Sequence, residues 1–107
     1  MKMVWAVIRS SSVDAVTRTL KTIGVSGCAV SRVRGYGEEW HLYEPLVHGG
    51  HHKLELIVAD EMAEKVASQI AENVWTGLKG DGVVSVFDLG KFIKIRMKDY
   101  RPTEAES

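Results

Sequence analysis

Residues 53–60, Lys53-Leu54-Glu55-Leu56-Ile57-Val58-Ala59-Asp60, carry the change of period that decides the fold. Leu54, Leu56 and Val58 fall on one face of an extended chain and Lys53 and Glu55 on the other, which is the two-residue period of a half-buried strand. Asp60 then opens a segment in which Met62, Val66, Ile70 and Val74 recur at helical spacing, with the aspartate as its expected cap. Three glycines in residues 76–82 (TGLKGDG) break that helix, and residues 83–88 are again strand-like. The second half of the chain therefore reads as one β-α-β unit.

The first half repeats the order. Residues 3–8 (MVWAVI) form an apolar run that predicts a strand buried on both faces, stopped by Arg9 and three serines. Ser11 or Ser12 suits the N-cap of a helix whose apolar stripe is Val13, Val16, Leu20 and Ile23, and Gly24 suits its C-cap. Residues 29–36 predict the next strand, with Arg32 and Arg34 on a shared face. Two split units of this kind make an α+β ferredoxin-like βαββαβ plait, with an antiparallel sheet and both helices on one face. Residues 91–97 (KFIKIRM) alternate once more, Ile93 and Ile95 against Lys94 and Arg96, and predict a short C-terminal strand. The expected layout is one domain over residues 1–97, interrupted by a loop at 37–52, and a loose tail over 98–107. The Val- and Ile-rich strands leave the second sheet face too apolar for water, so self-association is expected.

Composition excludes several classes. With 14 basic and 14 acidic residues the chain has no general attraction to nucleic acid. A single cysteine, Cys28, allows no internal disulfide and reads as a small buried hydrophobe. The apolar run in residues 1–10 is too short for a signal-peptide core, and no run approaches the roughly 20 residues that span a bilayer. A cytoplasmic protein without direct membrane insertion is expected.

The stretch that fits neither period is residues 35–52, GYGEEWHLYEPLVHGGHH, which holds all four histidines. A loop of this length in a small domain points to function. His48, His51 and His52 place three imidazoles within five residues, with His41 nearby and Glu38, Glu39 or Glu44 available to complete a site. Imidazole suits Zn, Cu, Ni or Co. The same histidines also read as solvated loop residues. Trp40, Leu42 and Tyr43 give the loop an apolar surface for docking a protein partner, or for packing on its own body. No nucleophile–base pair or paired carboxylates stand at convincing spacing, so a non-catalytic protein is expected.

Glycines in the 76–82 turn let backbone N–H groups approach an anion, and Lys79, Lys94 and Arg96 add charge, so the turn reads as a tight helix-to-strand connection or as a phosphate cradle. Thr76-Gly77-Leu78-Lys79-Gly80-Asp81-Gly82, then Val86-Phe87-Asp88, then Ile93-Lys94-Ile95-Arg96, resembles the PII signal-transduction family, with its T-G-x-x-G-D-G turn, V-F-D strand and I-R-I-R strand. Arg34-Gly35-Tyr36-Gly37 is similar to the K-G-F-G that opens the family's long T-loop, and residues 53–58 resemble its K-I-E-I-V-V exit strand. The resemblance implies a homotrimeric regulator that binds an adenine nucleotide between subunits, through Thr76, Gly77, Lys79, Gly80, Asp81, Gly82, Lys94, Arg96, Gly35 and Gly37 here. It also implies a T-loop presented to a protein target such as a membrane transporter or an enzyme, in nitrogen regulation or, as in some PII-like relatives, beside heavy-metal efflux pumps. Val83 stands where the family has a lysine and Glu38 where it has an arginine, and Lys94 loses an arginine's bidentate fork. These departures weaken triphosphate binding and favour ADP or AMP against ATP, or no nucleotide. The R-G-A-E-Y context of a modifiable tyrosine is absent around Tyr43. A divalent-cation tolerance protein of the same trimeric plait is the alternative; it explains the histidines and leaves TGLKGDG unexplained.

Overall fold

The computed structural model describes residues 1–35, 37 and 50–97. His41, His48, Trp40, Leu42, Tyr43 and the tail from residue 98 lie outside the described residues. Strand β1 (Lys2–Arg9) is followed by a single 3-10 turn (Ser10–Ser12), helix α1 (Val13–Thr22), β2 (Ala29–Arg32), β3 (His51–Val58), helix α2 (Asp60–Val74) and β4 (Gly82–Asp88). The sheet order is β2-β3-β1-β4 and every pair is antiparallel. This is the expected ferredoxin-like plait.

Period-two alternation builds its core. Val4, Ala6 and Ile8 of β1 stand opposite Leu56, Leu54 and His52 of β3, so the apolar members share one face. That face meets Val16 and Leu20 of α1 and Ala63, Val66, Ile70 and Val74 of α2 in one continuous cluster. Burying each large aliphatic side chain there contributes about 1.5–3 kcal/mol. Val7, on the opposite face, is buried too, as the two-sided apolar run in β1 requires.

Helix α1 ends as its glycine dictates. The Gly24 N–H donates to the Lys21 carbonyl at 3.1 Å and the Val25 N–H to the Leu20 carbonyl at 2.9 Å, with Gly24 at φ 98°. This is a Schellman closure, and Val25 and Leu20 supply its apolar contact in the core. The N-termini differ from expectation. Ser12 occupies the N-cap of α1 without a side-chain bond, because the chain enters through the 3-10 turn, tied by the Ser10 N–H to the Gly50 carbonyl at 3.0 Å. Asp60 is the first residue of α2 rather than its cap, and its carboxylate takes the α-ammonium of Met1 at 2.8 Å.

Two strand expectations are corrected. β2 stops at Arg32 instead of running on toward residue 36, because its partner β3 begins at His51: Arg32 pairs with His52, the Val33 N–H reaches the His51 carbonyl, and among the described residues 33–35 carry no strand. Residues 91–97 form no strand. The segment ends in a turn closed by the Met97 N–H on the Lys94 carbonyl at 2.9 Å, and Ile95 is 89% exposed. Alternation alone does not make a strand: β2 and β4 are the outer strands of the sheet, and the segment pairs with neither.

Candidate functional site

The helix-to-strand turn at residues 76–82 is built around one carboxylate. Asp81 accepts from the Thr76 hydroxyl, from the Thr76 N–H at 2.8 Å, from the Gly77 N–H at 2.9 Å and from the Arg9 guanidinium at 2.6 Å. The Thr76 hydroxyl oxygen also accepts the Leu78 N–H at 3.1 Å. These donors, the Thr76 hydroxyl first, hold the Asp81 carboxyl far below the ordinary carboxylate range. Arg9 spans the turn by donating as well to the Lys79 carbonyl at 2.9 Å.

Glycine is required where the turn meets the sheet. Gly82 has φ 110°, and a Cβ there would lie 1.9 Å from the Val7 carbonyl oxygen, because Gly82 pairs with Ile8 at the start of β4. The turn thus docks directly on β1.

Thr76, Gly77, Lys79, Gly80, Asp81 and Gly82 therefore converge, as the sequence suggests, but their roles divide. Asp81 and Thr76 organise the turn, and Asp81 occupies the Thr76 and Gly77 N–H groups. Lys79 is exposed at the end of the turn, and Gly80 is half-buried. Lys94 and Arg96 lie in the irregular 91–97 segment, not on a strand. Gly35 and Gly37 follow β2, where the chain leaves the sheet. Arg9 is the residue the sequence reading passes over: it looks like the polar stop of β1, and its partner Asp81 is 72 positions away.

The histidines depart furthest from expectation. His51 and His52 belong to β3, not to the loop, so their side chains take opposite faces. His51 is 5% exposed, and its Nε2–H donates to the Gly80 carbonyl at 2.9 Å. His52 Nδ1 shares a 2.6 Å hydrogen bond with the Ser10 hydroxyl. The strand separates the two imidazoles and gives each a structural partner. Among the described residues no three His, Cys, Asp or Glu side chains converge to hold a metal.

An antiparallel plait with both helices on one face, closed by a carboxylate-centred glycine turn, defines a small ferredoxin-like domain. The chain belongs to the P-II family: the family model described as "Nitrogen regulatory protein P-II" matches residues 1–99. It is similar to the nitrogen regulatory protein P-II of Pasteurella multocida (33% identical over 90% of this chain and 92% of that one) and of Haemophilus influenzae (34%, same coverage). It is likewise similar to nitrogen regulatory protein P-II 1 of Escherichia coli K12, at 31% identity over the same shares. It is thus a P-II family signal-transduction regulator. No described helix is long and apolar enough to cross a membrane.

Proposed function

We propose that this protein is a non-catalytic cytoplasmic regulator that acts as a homotrimer. It senses an adenine nucleotide at the 76–82 turn and docks through its 37–52 loop on a protein target, a transporter or an enzyme. The carrying observation is the turn itself: the Asp81 network fixes a glycine-rich backbone, with Lys79 at its exposed end, before any ligand arrives. A rigid cradle spends less binding energy on ordering than a loop that must close on its ligand. Lys94 and Arg96 are the further cations of this reading, and Gly35 and Gly37 its backbone contacts. Support for the trimer is the surface left uncovered on one protomer, including Phe87 of β4 and Ile93, Ile95 and Met97 after it.

Val83 and Glu38 stand where relatives of the described pattern hold cations, so ADP or AMP binds at least as tightly as ATP. Calorimetry with the three nucleotides tests this. A tenfold preference for ATP contradicts the ranking, and silence from all three removes the site. Sedimentation equilibrium tests the trimer, and a monomer at micromolar concentration overturns it. A divalent metal (Zn, Cu, Ni or Co) as the loop's effector falls to His41 and His48. His51 and His52 join only by giving up the Gly80 carbonyl and the Ser10 hydroxyl.

A further inference from the structure

Two neighbouring side chains of the sheet hold the backbone of the turn on either side of Gly80. Arg9 ends β1 and His51 opens β3, and they stand directly across from one another in the ladder. Cross-strand partners leave a sheet on the same face. Arg9 donates to the Lys79 carbonyl at 2.9 Å, and His51 donates to the Gly80 carbonyl at 2.9 Å. One carbonyl belongs to the peptide before Gly80 and the other to the peptide after it. Gly80 itself has φ 96°, and a Cβ there would lie 3.2 Å from the Arg9 guanidinium.

Glycine rotates more freely than any other residue, so sterics alone do not fix the two peptides that flank it. Here Arg9 fixes the first and His51 the second. In a planar trans peptide the N–H points opposite to the carbonyl. Drawing both carbonyls toward Arg9 and His51 therefore turns the Gly80 and Asp81 N–H groups away from those donors. Successive N–H groups set in this way form a concave cradle for an anion. His51 acts through one nitrogen. A carbonyl only accepts, so Nε2 carries the proton, while the buried Nδ1 has no partner. The single bond this imidazole makes is thus to the backbone of the turn. We infer that His51, paired with Arg9, is a positioning residue of the anion site: it sets the Gly80 backbone so that the cradle exists before a phosphate arrives. The inference rests on the nucleotide reading of the 76–82 turn.

The test is calorimetry with ADP on the full chain, well below its melting temperature, with circular dichroism to check that each variant is folded. His51→Gln copies the Nε2–H and gives up only Nδ1, which has no bond to lose, so ADP affinity is expected to stay within roughly threefold of the parent. His51→Leu fills a similar volume without a donor, and is expected to weaken ADP about tenfold, the effect of one lost ordering hydrogen bond. A histidine that serves stability alone lowers the melting temperature of the leucine variant and leaves its ADP affinity at the parent's value, which overturns the inference. Equal losses in both variants overturn it too, because the Nε2–H is then not what acts. Silence of the parent toward ADP removes the nucleotide site itself, and the inference falls with it. If His51→Leu does not fold, the unaltered protein decides. ADP is expected to shift the Gly80 amide resonance and slow its exchange with solvent, and a parent that binds ADP with this amide unmoved overturns the positioning role.

Discussion

The 76–82 turn and the 91–97 segment both carry glycine or charge and both lie after the last helix, yet they behave oppositely. In the turn, a threonine, an aspartate and the distant Arg9 satisfy one another within the protomer. In the segment, alternating Ile93, Lys94, Ile95 and Arg96 form no strand, and Ile95 is left almost wholly in solvent. A motif whose donors and acceptors meet within the chain folds on its own account; alternation alone does not carry a segment onto an outer strand, although β2 and β4 are both there.

The sharpest way to break this contrast is Gly82→Ala. The added methyl overlaps the Val7 carbonyl and the residue keeps φ 110°, so β4 must move off β1. A loss above about 3 kcal/mol, seen as collapse of the urea midpoint, is expected for backbone strain combined with overpacking. Full stability in this variant contradicts the docking of the turn on β1.

Next comes His51→Ala, which strips the Gly80 carbonyl of its donor in a buried place and leaves a void. A loss of about 2 kcal/mol is expected from the unsatisfied carbonyl, with a further contribution from the void. The readout that separates structure from ligation is a metal titration: His51→Ala lowers the melting temperature with Zn, Cu, Ni or Co absent. A variant as stable as the parent without metal returns His51 to the loop's ligand set.

Acid probes the turn through Asp81. Its folded pKa lies below the unfolded value of about 3.9, so its contribution to stability is fully present above that value and is lost as pH falls through the folded pKa. Asp81→Asn is therefore expected to lower the melting temperature by a constant amount between pH 5 and 8, with the gap to the parent narrowing below about pH 4. A gap that stays constant into acid shows that the carboxylate's charge is not what holds the turn.

The smallest effect on folding belongs to Ile95→Ser. An exposed side chain on one protomer is expected to change its unfolding free energy by no more than about 0.5 kcal/mol. The same substitution is expected to weaken the trimer in sedimentation. An unchanged trimer removes Ile95 from the interface and takes the segment out of the contrast.

Most of the plait was legible because it is written in local periods. Leu54, Leu56 and Val58 announce β3, and Met62, Val66, Ile70 and Val74 announce the buried stripe of α2, with Met62 at its margin. Gly24 and Gly82 likewise mark places where the backbone needs positive φ. What escaped is pairing across the sequence. Nothing near Arg9 names Asp81, and nothing in Gly49-Gly50-His51-His52 shows that the strand begins at the first of the two histidines rather than after them. Glycines before an adjacent pair read as loop, and the tie that draws His51 into the sheet comes from Gly80, 29 positions on. The strand expected at 91–97 failed in the opposite way: its local alternation is sound, yet the segment pairs with neither outer strand of the sheet, β2 or β4.

The place of β1 has a consequence for how the chain comes off the ribosome. β1 leads the sequence but sits inside the sheet, pairing on one side with residues 51–58 and on the other with residues 82–88, where Lys2 meets Asp88. The most apolar strand is therefore synthesised before both of its partners. Until Val58 has left the exit tunnel, Val4, Ala6 and Ile8 have neither ladder, and until Asp88 has left it they still lack the second. Non-local pairing of this kind slows folding and leaves strand edges open to other chains. A nascent P-II chain is thus exposed to wrong partners over much of its synthesis, and any translation pause that falls before β4 has emerged would lengthen that exposure.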